Sequence, residues 1–150
     1  MHKIGQLNAA IYRNMQIFLG NKLSGLDIKN GQYDFFLVIS LNEGISQKQL
    51  SKHLHIGKST TAKAVKNLVS KGYVTKQKDK KDGRVDHLFL TDRGRKEAPF
   101  VEAIFEENQR VAARGLTEAE RGQLLFLMNK VLNNFVANNE SYAGGRNEDE

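Results

Sequence analysis

The sequence predicts a mainly α-helical fold with one small β-hairpin, and three patterns carry that expectation. Apolar residues recur every three or four positions along six stretches, two of which open on a capping box. Two β-prone runs flank a single Asp-Gly turn signal. Charge is concentrated: Ser46 to Lys96 holds fourteen Lys and Arg against four Asp, while the rest of the 150 residues holds nine against thirteen. A net charge of +6 is therefore a +10 segment inside a −4 frame.

Ile4, Leu7, Ile11, Met15, Phe18 and Leu19 form one apolar face of a first helix ending near Asn21 to Gly25. Residues 26–31 are a connector. The second helix runs from about Gln32 to Asn42, with Tyr33, Phe36, Leu37 and Leu41 as its expected buried set and Gly44 as its stop. Ser46 with Gln49 three residues on caps a short third helix, whose inward residues are Leu50 and Leu54. His55-Ile56-Gly57 is a turn. A fourth helix from about Lys58 to Lys71 turns Thr61, Val65, Leu68 and Val69 inward, and Gly72 ends it.

Residues 73–78 and 85–90 read as strands, with Asp82-Gly83 turning the charged tip between them. Thr91 or Asp92 caps a long helix with Ala98, Val101, Ile104, Phe105 and Val111 as its apolar face. Pro99 lies inside it and is expected to kink it, and Gly115 ends it. Thr117 with Glu120 caps the last helix, which carries Leu124, Leu125, Leu127, Met128, Val131, Leu132, Phe135 and Val136. That face is wider than one neighbour needs. It is either the core of a monomer or half of an interface with a second copy. Past about Asn139 the chain turns polar and is expected to lose order, as a tail over 139–150.

Composition narrows the function. The sequence has no cysteine, so a disulfide scaffold, a zinc–cysteine site and thiol redox sensing are excluded within it. No run approaches ~20 apolar residues, and the first residues lack the continuous apolar stretch of a signal peptide, so a soluble, cytoplasmic protein is expected. Gly57-Lys58-Ser59 resembles the end of a phosphate loop, but Lys52 stands where the leading glycine belongs and no strand precedes it. His53 and His55 bracket a turn without a nearby third ligand, so they read as surface residues and not as a metal site. No nucleophile–base–orienter set is legible. An enzyme is disfavoured, and neither cofactor nor metal is implied.

The middle of the chain is thus a winged helix-turn-helix with a basic face, the electrostatic footprint of a DNA reader. A protein-interaction adaptor built on the same unit is the alternative, for which an acidic or apolar outward face would have argued. On the fourth helix Ser59, Thr60 and Lys63 are placed to reach base edges in a major groove, and Lys58 and Lys66 to touch phosphates. On the hairpin Lys78, Lys80 and Lys81 suit flanking phosphates. Arg84 either enters a groove or pairs with Asp82 or Asp86.

The chain resembles the MarR family of transcriptional regulators from about Ile4 to Phe135. The run from Leu50 to Val74, the wing Asp79-Lys-Lys-Asp-Gly-Arg84 and Leu88-Phe-Leu-Thr-Asp-Arg-Gly94 carry the resemblance. The family's wing usually reads Asp-x-Arg-Asp-x-Arg. Asp79, Asp82 and Arg84 match it, whereas Lys81 replaces the first arginine and keeps its charge without its planar fork. The resemblance implies one domain over 1–138, with the winged unit at about 32–91 and dimerisation helices at about 3–24 and 92–138. It implies a homodimer on a palindromic operator, with Leu7, Ile11, Leu125, Met128, Leu132 and Phe135 as dimerisation residues. It puts Arg84 in a minor groove. It further implies repression relieved by a small aromatic or phenolic effector, for which Tyr12, Phe18, Tyr33 and Phe36 are the candidate cleft and Arg13 the candidate carboxylate partner.

Overall fold

A computed structural model describes residues 3–145, and the chain divides into two compact units, Met1–Gln109 and Arg110–Glu150. The first unit opens with helix α1 (Ile4–Lys22), whose entry is fixed by the Gln6 side chain accepting the Lys3 N–H at 3.2 Å. Only its C-terminal end is buried: Leu19 and Leu23 are core, whereas Ile4, Leu7 and Ile11 are 66%, 52% and 44% exposed.

Helix α2 (Tyr33–Leu41) buries Tyr33, Phe35, Phe36, Val38 and Ile39. The expected inward pair of Leu37 and Leu41 is corrected, since Leu37 is half-buried and Leu41 is exposed. The run is apolar on almost every side, so periodicity carried little information about which side faces in. Gly44 (φ +92°) then turns the chain into a two-residue strand β1 (Ile45–Ser46) that sequence reading missed, being too short to show a period.

Helix α3 (Gln47–Leu54) starts on the expected capping box: Ser46 Oγ accepts the Gln49 N–H at 3.1 Å and Gln49 Oε1 accepts the Ser46 N–H at 2.9 Å. Its exit is left-handed at His55 (φ 53°), with the Ile56 N–H reaching back to the Ser51 carbonyl at 3.0 Å. Helix α4 (Lys58–Ser70) packs on α3 through a buried polar joint. Ser51 Oγ donates to Thr61 Oγ1 at 2.7 Å, and Thr61 Oγ1 donates to the Gly57 carbonyl at 3.1 Å. Ala64, Val65 and Leu68 complete the inward face, while Val69, expected inside, is 37% exposed. Gly72 (φ +80°) ends α4 as expected, its N–H bonding Val69 and the Tyr73 N–H bonding Leu68, both at 3.0 Å.

Strands β2 (Val74–Lys78) and β3 (Asp86–Leu90) form the hairpin. β3 is central in an antiparallel sheet of order β1-β3-β2, with His87 opposite Ser46 on one side and Gln77 on the other. Helix α5 (Asp92–Ala112) is capped by Thr91, whose Oγ1 accepts the Gly94 N–H at 3.1 Å; the helix runs through Pro99. Gly94 is required by close approach, because a Cβ there would lie 2.2 Å from the Tyr73 carbonyl oxygen. Contacts from Lys22 to Glu107 (3.2 Å) and Ser40 to Glu102 (3.3 Å) tie α5 to α1 and α2. The core they enclose centres on Leu19, Phe36, Ile39, Leu50, Val65, Leu68, Tyr73, Leu88 and Val101.

In the second unit, helix α6 (Glu118–Gly145) begins on the Thr117–Glu120 capping box. It continues past Asn139, where order was expected to end; Ser141 Oγ still donates to the Asn138 carbonyl at 2.7 Å. The helix thus runs into the stretch expected as a tail, and the remainder of that stretch, 146–150, lies outside the described residues. None of the described α6 side chains is buried.

Candidate nucleic-acid interface

The periodicity of α4 divides it cleanly. Thr61, Ala64, Val65 and Leu68 are buried on one side, and Lys58, Ser59, Thr60, Lys63 and Lys66 are all exposed on the other. Ser59, Lys63 and Lys66 are spaced i, i+4, i+7, so they form one row along the helix. Lys58 stands at the N-terminal end, where the helix dipole adds to its positive charge. The Ser51–Thr61–Gly57 joint fixes the angle at which α3 holds this row out.

The wing takes its shape from one carboxylate. Asp79 Oδ1 accepts the N–H groups of Lys81 and Asp82 at 2.8 and 2.9 Å, and Asp79 Oδ2 meets His87 Nε2 at 2.8 Å. These bonds, that of His87 foremost, hold the Asp79 carboxyl at about 2. Lys80 and Lys81 are exposed at the tip. Lys78 is exposed too, but is committed within the wing, at 3.6 Å from Asp86 and 3.2 Å from the Gly83 carbonyl. Arg84 realises its ion-pair alternative: its Nε lies 3.2 Å from Asp82 Oδ1, with the side chain 91% exposed. An ion pair so open to water is worth about 0–1 kcal/mol and is readily exchanged.

An open cleft of about 310 Å³ lies between the two halves of the site, and Lys58 of α4 and Arg84 of the wing both line it. Lys48, on the first turn of α3, lines it as well. The sequence reading passed over Lys48, because it sits beside a capping box that explained the local pattern fully.

The comparisons agree with this architecture. A model of the MarR family matches residues 25–85. The uncharacterized HTH-type transcriptional regulator YybA of Bacillus subtilis (strain 168) is 30% identical over 83% of this chain and 83% of its own length. A MarR transcriptional regulator from Methanosarcina mazei Go1 is 33% identical, covers 89% of this chain and 96% of its own, and superposes with a TM-score of 0.77. The chain belongs to the MarR family of transcriptional regulators. A Listeria monocytogenes protein described as a MarR family transcriptional regulator, solved with a 26-mer DNA, superposes with a TM-score of 0.85 at 29% identity, covering 92% of each chain.

Within this MarR fold the wing signature divides its labour. Asp79 builds the tip, Asp82 holds Arg84, and Lys81 extends into solvent where the family usually carries arginine. The candidate effector residues differ in burial. Tyr33 and Phe36 are core, 3% and 0% exposed, and the Tyr33 hydroxyl is spent on the Leu23 carbonyl. Burial pushes the Tyr33 phenol up, with Tyr73 adding to the effect. Phe18 packs partly against the core, while Tyr12 and Arg13 are exposed on α1. Of the four aromatics, Tyr33 and Phe36 are thus packing residues, while Tyr12 faces water. His53 and His55 are exposed, and among the described residues no cluster of three metal-ligating side chains occurs. No described helix is long and apolar enough to cross a membrane.

Proposed function

We propose that this MarR family regulator acts in the cytoplasm as a homodimer that binds a palindromic DNA operator and represses transcription by occupying it. The observation that carries the reading is the outward face of α4, with Ser59, Lys63 and Lys66 in one row beside a wing that presents Lys80, Lys81 and Arg84. An α-helix fits the major groove, and cations on both sides of it neutralise phosphates. The Listeria monocytogenes relative, solved with a 26-mer DNA, supports DNA as the partner. An adaptor binding protein partners would not need so uniformly cationic a face.

Dimerisation is supported by apolar surface that a lone chain leaves in water. On α1 these residues are Leu7 and Ile11; on α6 they are Leu125, Met128, Leu132 and Phe135, from 39% to 63% exposed. Patches of this kind mark interfaces, and a second copy related by a two-fold axis closes them without leaving further sticky ends. Relief by an aromatic effector would have to use a cleft other than one lined by Tyr33 and Phe36.

The test is selection of bound duplexes from a random pool, followed by anisotropy titrations over a salt series. The expected outcome is a palindromic motif, with half-sites about 10–10.5 bp apart or a multiple of that. Affinity should fall steeply with salt. An unenriched pool with salt-insensitive binding would leave the adaptor reading standing.

A further inference from the structure

His87 joins two parts of the winged unit that the sequence keeps 35 residues apart. Its Nδ1 lies 2.8 Å from the carbonyl oxygen of Gly44, at the turn between α2 and β1. Its Nε2 lies 2.8 Å from Asp79 Oδ2, in the wing turn. A backbone carbonyl only accepts hydrogen bonds. An ionised carboxylate also only accepts, and Asp79, held at about 2, is ionised throughout the neutral range. A neutral imidazole owns one N–H, so it can satisfy one of these acceptors but not both. The geometry is complete only for the imidazolium.

We propose that protonated His87 is a positioning residue for the wing: it latches the wing turn to the start of the helix-turn-helix, and loss of its proton loosens the wing and weakens operator binding. The consequence for DNA rests on the DNA-binding reading; the latch itself does not. Asp79 is the pivot. One of its oxygens folds the turn that carries Lys80, Lys81 and Arg84, and the other is held by His87. When the proton leaves, one bond must break. Either the ring lets go of Gly44, and β3 loses a tie to the turn before α3, or it lets go of Asp79, and the carboxylate that shapes the tip is freed.

The surrounding charges favour the latched form. Asp79 raises the His87 pKa most, the Gly44 carbonyl next, and Asp86 adds a smaller push in the same direction against partial desolvation. Lys78, Lys80 and Lys81 share an open cleft with His87 and oppose its charge, but Lys78 is itself paired with Asp86. Glu43 beside Gly44 is engaged elsewhere, by the Leu90 N–H and by Arg95. A histidine raised above its ordinary 6.5 on folding contributes its full stabilisation below that value and loses it as pH rises through the folded value. The sensitive window therefore opens at about 6.5 and extends upward through the raised folded value.

Two measurements test the latch. In the protein alone, followed by NMR, the His87 ring and the Lys81 and Asp82 amides should titrate together with one midpoint above 6.5. A His87 that titrates at or below 6.5, or amides that stay still while it titrates, would overturn the proposal. Duplex affinity is then measured from pH 6.5 to 8.5 for the wild type and His87→Gln. The wild type should lose affinity several-fold, whereas the variant should be weaker at pH 6.5 and nearly flat. Equal slopes in the two proteins would sink the coupling. Repeating the series at raised salt separates the latch from plain charge attraction to phosphate, since only the latter is screened away. If no duplex binds either protein, the DNA reading fails and the NMR result still decides the latch. If His87→Gln does not fold, the wild-type NMR titration alone decides the latch.

Discussion

Arg84 is held by Asp82 yet almost wholly in water, so its ion pair and a groove contact compete for one guanidinium. Two expectations follow. Arg84→Ala should cost affinity mainly on operators with A·T-rich outer flanks, where a narrow minor groove concentrates negative potential. Asp82→Asn should raise affinity slightly, by no more than about 1 kcal/mol, the worth of an exposed pair. Flank-swapped duplexes measured with all three proteins check both, and equal losses on both flanks would make Arg84 an ordinary phosphate contact. On α4, Lys63→Ala should lower specific affinity by about 1–3 kcal/mol and relax preference at one position per half-site, while Lys66→Ala should weaken all sequences alike and flatten the salt slope. At Gly94 the issue is space. A methyl group 2.2 Å from the Tyr73 carbonyl forces the α5 start away from the sheet. Gly94→Ala should thus cost about 1–3 kcal/mol, read as a lower denaturant midpoint at unchanged slope.

At the scale of elements, the turn between α3 and α4 holds a histidine in a conformation that disfavours any Cβ. His55→Val should destabilise by about 1–2 kcal/mol, whereas His55→Gly should equal or exceed the wild type. Thermal or urea unfolding of the pair tests it, and a glycine variant weaker than the valine one would refute the strain argument. Elements that announce themselves chemically were legible in the sequence: both capping boxes, the glycines ending α2 and α4, and the Asp82-Gly83 hairpin. The outward row of α4 was legible for the same reason, since its inward residues show the 3.6 period. What stayed hidden depends on tertiary context. β1 exists only because β3 lies beside it, the inward side of α2 is set by neighbours on nearly all sides, and α6 continues through polar residues that read as a tail. His87 was invisible as a functional residue because its two partners, Gly44 and Asp79, converge on it only once the sheet has formed.

For the whole molecule the decisive prediction is the assembly state. Sedimentation of the wild type at micromolar concentration should give a dimer. Leu132→Arg, which would bury an unpaired charge in the proposed interface, should shift the population to protomers and weaken operator binding. A wild-type chain that sediments as a monomer at that concentration contradicts the dimer outright. The exposed apolar length of α6 then bears on gene dosage. If only pairs of chains bind, the binding species grows with the square of protomer concentration whenever pairs are the minority. Halving synthesis would then remove about three quarters of the active species. A cell would experience this regulator as a threshold on its own abundance, with target promoters released abruptly as the protein is diluted by growth.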